Sequence, residues 1–392
     1  MTEALPPAIV MGLSPTGLHV VRTLGRAGVH VTGVADGSQA GGTSRYCRRV
    51  IYGSAAEKID KICAAFPEGG EKPVLIATSD QDVDLIMENA QMLARHVRFQ
   101  PSYADGLARQ IMDKERFYQL CQAHGVAYPR LWSGTKAQIL GFADQIGFPC
   151  LIKPALIQLL KGRMGGQKGW IARDALEFDR KVARIPSDAG TLLVQEIVEG
   201  PESNITLWCG HLSGQGVQNG CTARKLRQYP PGFGSASLVQ SHAEPDSAGI
   251  AETLLSSLGY QGTAAAEFKR GPDGELKIIE INVRPSLWFS VTDPAGRPTV
   301  LSAYRDLAGL SPLPQQAQVD GVRWRYALKD LYSRLFYIFK SGFVLPAPDI
   351  RAAGPAQRRT WAVFAWDDPV PALAELRNFA EKALNRLKRG RR

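Results

Sequence analysis

The chain has 392 residues, 44% of them hydrophobic, and a formal net charge of +10. That length exceeds one ordinary core and predicts two or three domains, and the lack of self-similarity at repeat length excludes a solenoid. The charge is no nucleic-acid footprint: part of it lies in the terminal LNRLKRGRR, and aromatic and basic residues do not interleave as base-stacking surfaces require.

A small anionic substrate, such as a nucleotide or polycarboxylate, accounts for the charge at least as well. Cys47, Cys63, Cys121, Cys150, Cys209 and Cys221 form no CxxC pair, which fits reduced thiols in a cytoplasmic protein. No apolar run reaches the roughly 18 residues a membrane span needs, and the first residues lack the pattern of a signal peptide.

In chain order, AIVMGL, SPTGLHVVRTLGRAG and VHVTGVAD read as strand, helix and strand, the opening of a parallel α/β sheet. The turn Gly12-x-Ser14-x-x-Gly17 approximates a dinucleotide fingerprint but lacks its second glycine, which argues against an NAD-dependent oxidoreductase. A second strand–helix unit, VLIATSDQDVDLIMENAQML, ends its strand at Ala77 and places Thr78 to Asp82 at the carboxyl end, where such sheets bind ligands. Asp113 is a good N-cap for DKERFYQLCQAHG, and Gly125 stops that helix. Strands then recur at PCLIKP, TLLVQEIV and NITLWC, so a domain change is expected near residue 106. Beyond about residue 311, SPLPQQAQ reads as a linker, and RWRYALKDLYSRLFYIFKSG as an amphipathic helix. That helix either packs onto the central domain or, with the basic tail, touches a membrane surface.

The segment TAAAEFKRGPDGELKIIEINVRP carries the sharpest chemical signal. With Asp273-Gly274 as a two-residue turn, residue 272 pairs with 275 and Glu267 with Glu280, and Asn282 shares the face of Glu280. Two carboxylates opposed at roughly 5 Å repel unless a cation lies between them, and three oxygen ligands suit magnesium, with manganese as a substitute. The alternative is a three-residue turn over Pro272-Asp273-Gly274 that slips the pairing by one and turns Glu267 away.

Taken together, these residues resemble the ATP-grasp superfamily over roughly residues 8 to 310, within it the carboxylate–amine ligase group that includes D-aspartate ligases. Lys114 is similar to the first phosphate-binding lysine of the superfamily, and Lys153 to the strand lysine that reaches the α and β phosphates. LLVQEIVEGPES is similar to the segment joining the two lobes, where backbone groups of Gln195, Glu196, Ile197 and Val198 meet the adenine edge and Glu202 holds the ribose hydroxyls. Glu267, Glu280 and Asn282 match its magnesium ligands, and Arg284 an arginine that follows them. ARKLRQYPPGFGSAS adds Lys225 and Arg227, which share a face if that stretch is a strand; they meet the γ-phosphate or an acidic substrate, or else form a basic strand edge. A glycine-rich loop, LKGRMGGQKGW with Lys168, stands where the closing lid is expected.

The resemblance implies an N-terminal parallel α/β domain (1–105), a two-lobed α+β ATP-grasp domain (106–311) and a small, mainly helical C-terminal region (312–392). It implies ATP and magnesium as cofactors and activation of a carboxylate to an acyl phosphate, which an amine, such as an amino acid, attacks to give an amide. Arg284 and Lys225 are the catalytic candidates, and Arg45, Arg48, Asp80 and Asp82 candidate acceptor contacts. A non-catalytic ATP-binding subunit is the alternative, and a homodimer is the default assembly.

Overall fold

The first strand, β1 (Ala8–Met11), is apolar and buried at every position, as the interior of a parallel sheet requires. In the computed structural model, which describes residues 3–154, 169–340 and 342–389, it sits inside a four-stranded parallel sheet of order β3-β2-β1-β4. The partners are β2 (Val31–Ala35), β3 (Cys47–Tyr52) and β4 (Val74–Ala77). The strand order changes direction between β1 and β4, so a crevice opens beyond their carboxyl ends. The helices Pro15–Arg26 and Asp80–Glu88 both start at that crevice.

The glycines of the first turn serve packing. A Cβ at Gly17 would lie 1.9 Å from the Gly12 carbonyl oxygen, and Gly12 itself has φ +81°. Thr78 Oγ1 donates to the Met11 and Gly12 carbonyls at 2.9 and 2.8 Å, tying the two loops together.

A second, antiparallel sheet runs β5-β8-β6-β7. It contains β5 (Leu131–Gly134), β6 (Cys150–Pro154), β7 (Trp170–Ala172) and β8 (Leu192–Glu196). Ile139 from the helix Lys136–Gly141, and Phe178 and Val182 from Ala175–Ala183, close its own small core. The lid candidate with Lys168 lies outside the described residues.

The third sheet has seven strands in the order β13-β12-β9-β10-β11-β14-β15. They are β9 (Ile205–Ser213), β10 (Gly216–Tyr229), β11 (Ser235–Ser241), β12 (Gly262–Arg270), β13 (Leu276–Asn282), β14 (Val322–Arg325) and β15 (Arg358–Trp361). Its faces bury Trp208 and Phe268 on one side and Leu207 and Ala223 on the other.

The C-terminal region therefore does more than add helices. It supplies the last two strands of this sheet, and the expected helix begins only at Ala327, because Arg323-Trp324-Arg325 are already strand. The helix Ala327–Phe339 packs on β10: Arg227 makes two bonds to the Asp330 carboxylate, at 2.7 and 2.9 Å, and Ser333 Oγ donates to the Gln228 carbonyl at 2.6 Å. Leu331, Tyr332, Leu335, Ile338 and Phe339 stay exposed on its outer side. No described helix is long and apolar enough to cross a membrane. At the other end, Asp368 accepts from Arg22, Ser44 and the Arg45 backbone, locking the C-terminal region to the parallel sheet.

Candidate active site

The β12–β13 hairpin follows both readings offered by the sequence, each over half its length. Next to the turn the pairing is the slipped one: Arg270 faces Leu276, Gly271 N donates to Glu275 O, and Gly274 takes φ +82° at the end of a three-residue turn. A bulge then restores the other register, so that Glu267 faces Glu280 and Ala265 faces Asn282. The extra residue is Ile279, whose carbonyl is released from the ladder.

That carbonyl organises the two expected phosphate lysines. Lys114 Nζ donates to it, and Tyr118 Oη does so at 3.1 Å. Gln195 Nε2 donates to Tyr118 Oη at 2.8 Å, and Lys153 Nζ to Gln195 Oε1 at 3.4 Å. One chain of hydrogen bonds thus ties Lys153 to Lys114 through β8 and the bulge. Enclosure pushes the Lys114 ammonium down to about 8, against the pull of Glu280. Lys153 is lowered by the same cause.

Both lysines line a cavity of about 180 Å³ together with the Gln195–Val198 segment, Ile279 and Glu280. Two backbone N–H groups of that segment are already committed: Glu196 N donates to Arg130 O and Ile197 N to Pro149 O. The Glu196 side chain turns to Lys277 at 2.9 Å.

Glu202 departs from its expected role. It is fully buried, and its carboxylate accepts from the backbone N–H of Gln228 and of Gly232, so it pins the loop between β10 and β11 and does not line the cavity. A carboxylate removed from water takes the nearest donors, and here these are backbone groups.

Three residues of the cavity were not anticipated, two of them polar. Lys269, two positions beyond Glu267 on β12, is pushed down to about 8 by burial despite the nearby Glu202 and Glu267. The alternation in Glu-Phe-Lys was the signal for it. Gln228 is buried and accepts from Lys225 Nζ at 3.4 Å, while its Nε2 has no hydrogen-bond partner among the described residues. Orientation of that amide follows from Lys225, since an ammonium needs an acceptor. Phe233 covers the cavity from the β10–β11 loop.

Glu267 and Glu280 also line a second, larger cavity of about 540 Å³, open toward the crevice of the parallel sheet. Lys225 Nζ lies 2.6 Å from both Glu267 oxygens. Burial raises the Glu267 pKa, with Lys225 opposing, whereas Glu280, which faces the open cleft, is held below the usual range by Lys114, Lys225 and Lys153 against the cost of its enclosure. Asn282 Nδ2 donates to Glu280 Oε1 at 3.2 Å. The paired carboxylates with an amide oxygen beside them are a hard-oxygen donor set that fits a divalent cation.

Arg284 reaches the same cavity. Its Nε donates to Asp80 Oδ1 at 2.7 Å and its Nη1 to the Pro285 carbonyl. Gln100 and Tyr103 each donate to the Val283 carbonyl at 2.9 Å, which fixes the backbone just before Arg284 against the parallel sheet.

Of the remaining acceptor candidates, only Asp80 lines the cavity. Asp82 is buried against Lys58 at 2.8 Å; Arg45 turns to the backbone of Asp367; Arg48 stands exposed on β3. Arg227 is spent on Asp330, and a bulge after Lys225 breaks the simple alternation that put both on one face. Nor do they form a sheet edge, since β10 lies between β9 and β11.

Two lobes gripping a cavity at paired lysines, beside a carboxylate-bearing hairpin, define the ATP-grasp fold. No protein-family model matches the chain, and no curated protein matches it in sequence. Solved structures do. An N5-carboxyaminoimidazole synthase from Aspergillus clavatus, in complex with ADP and 5-aminoimidazole ribonucleotide, superposes with a TM-score of 0.62 at 14% identity, over 80% of this chain and 79% of that one. An N5-carboxyaminoimidazole ribonucleotide synthetase in its ADP complex gives 0.65 at 13% identity, over 90% and 96%. An L-amino acid ligase from Bacillus licheniformis gives 0.58 at 16% identity, over 80% and 76%. At these identities the likeness is one of fold.

Proposed function

We propose that the protein is an ATP-dependent carboxylate–amine ligase that forms an amide through an acyl phosphate and releases ADP and phosphate. The observation that carries this reading is the sharing of Glu267 and Glu280 between two cavities, one sized for the enclosed part of a nucleotide and the other open to an acceptor. Solved structures of the same fold hold ADP, ATP or MgADP, which supports the nucleotide assignment.

Lys114 and Lys153 bind the phosphates as point charges, and their shared hydrogen-bond chain keeps both at fixed positions before the nucleotide arrives. The adenine edge meets backbone groups of the Gln195–Val198 segment that its own neighbours leave unused. Gln228 Nε2, buried without a partner among the described residues, donates to the nucleotide. Glu267, Glu280 and Asn282 would hold magnesium, which neutralises phosphate charge when bound. Lys225 balances and orients the Glu267 carboxylate. Arg284, held by Asp80, donates to the acyl phosphate and then to the tetrahedral oxyanion. The two mating lobes exclude water from the acyl phosphate. The amine is an amino acid, and the units bearing these roles are residues 1–105, 106–311 and 312–392.

The test is phosphate release with Mg-ATP against a matrix of carboxylates and amino acids. Release that requires both substrates and yields ADP supports the ligase. Release of AMP, or Mg-ATP binding with no stimulation by any pair, rejects it.

A further inference from the structure

The helix Ala327–Phe339 carries its polarity in reverse. The two residues it buries are Asp330 and Ser333, the ones bonded to Arg227 and to the Gln228 carbonyl, while Phe336 and Tyr337 sit half-buried against Phe343 near its end. Its outward stripe is apolar. Leu331, Leu335, Ile338 and Phe339 follow one another at steps of four, three and one, hence on one helix face, with Tyr332 at the border where its ring meets Tyr229 edge-on. Exposure along the stripe runs from 43% at Leu335 to 80% at Phe339. Apolar side chains left in water at this density mark a contact surface.

Charge is concentrated in the same region. Residues 312–392 hold 15 Lys and Arg against 7 Asp and Glu, so this fifth of the chain carries eight of its ten net positive charges. It also holds eleven of the sixteen large hydrophobic side chains that are exposed among the described residues. On the helix itself, Arg334 flanks the stripe and Lys340 follows its end; both are exposed, and neither has an ion-pair partner among the described residues. A second copy of the chain would set one such net charge against another, which opposes self-association through this face. An apolar ridge bordered by cations instead matches the boundary between anionic headgroups and acyl chains, which yields to the shape of whatever lies in it.

We propose that the C-terminal region docks the protein on an anionic lipid surface, with the stripe from Leu331 to Phe339 among the acyl chains and the basic residues around it against the headgroups. The contact lies on the bilayer and does not span it, since no described helix is long and apolar enough to cross a membrane. The bonds of Arg227 to Asp330 and of Ser333 to the Gln228 carbonyl fasten the helix to β10 by its polar side, which leaves the apolar side for the lipid. This surface role goes beyond the ligase reading and does not depend on it.

Co-sedimentation of the full chain with vesicles tests this, using phosphatidylcholine alone and phosphatidylcholine with about a quarter phosphatidylserine. The anionic vesicles should capture the protein roughly tenfold better, and raised salt should shrink the difference. Leu335→Gln combined with Ile338→Gln should weaken capture about tenfold, and Arg334→Gln combined with Lys340→Gln by several-fold. All four side chains are exposed, and thermal melts confirm that both variants fold. No capture, equal capture by the two kinds of vesicle, or capture that survives the change at Leu335 and Ile338 overturns the proposal. So does a dimer, detected by light scattering without lipid, that the same double substitution abolishes, because the stripe then serves a second copy of the chain.

Discussion

Two walls of the larger cavity are built by opposite means. The β12–β13 wall is local: Glu267, Glu280, Asn282 and Arg284 come from one hairpin, and alternation and register decide where they point. The facing wall is assembled from distant segments, with Lys225 on β10 and Lys329 on the C-terminal helix, and ion pairs decide where its charges go. A local wall tolerates little error of register, because one slip turns Glu267 out of the site, and a single bulge at Ile279 corrects it. An assembled wall tolerates local irregularity but depends on its buried pairs.

The largest effect should come from breaking the assembled wall. Asp330→Ala leaves the Arg227 guanidinium buried beside Arg325 without their carboxylate. The loss should be roughly 3–5 kcal/mol of unfolding free energy by urea titration. A loss below about 1 kcal/mol, the range of exposed pairs, would show that the helix is held by something else.

Breaking the local wall should cost activity and leave stability intact. Glu280→Gln should lower phosphate release on the order of a hundredfold, near 2.7 kcal/mol of barrier, with an unchanged melting temperature. Full activity in that variant would reject the proposed role of Glu280 in holding magnesium.

A smaller effect sharpens the electrostatics of the smaller cavity. Lys114 and Lys269 both sit at about 8 in the protein without nucleotide. A lysine lowered by burial carries its charge below that value and loses it above. Affinity for Mg-ATP should therefore be full at neutral pH and weaken above about 8, by roughly one log unit per pH unit for each lysine that must regain its proton. Lys114→Arg should reduce that slope, since arginine stays charged throughout. A profile flat to pH 10 would contradict both assignments.

The smallest effect separates polar from apolar support of the C-terminal helix. Leu335 is exposed on its outer side. Leu335→Gln should change stability by no more than about 0.5 kcal/mol, and a larger loss would mean that the outer stripe is covered in solution.

Most of the local wall was legible from residue order. The spacing of Glu267, Glu280 and Asn282, the N-cap at Asp113 and the apolar strand ending in Lys153 led to the right elements, because hairpins, caps and alternation are short-range rules. The turn was not settled, since both two- and three-residue loops fit Pro272-Asp273-Gly274. Glu202 was misplaced for a different reason: nothing nearby in sequence announces that the Gln228 and Gly232 amides will reach its carboxylate. Arg227 was likewise claimed by Asp330, more than a hundred residues on.

By itself, then, the sequence determined the parallel opening sheet, the strand-rich centre and the facing side chains of Glu267, Glu280 and Asn282, all of which follow from periodicities of two and about 3.6 residues. Tertiary structure alone decided which charges remain for a ligand. Lys225, Arg227, Glu202 and Asp82 are each taken by a partner from another element of the fold. The physical reason is that a buried charge must be paired, and the partner is chosen by proximity in the fold, which residue order does not encode locally.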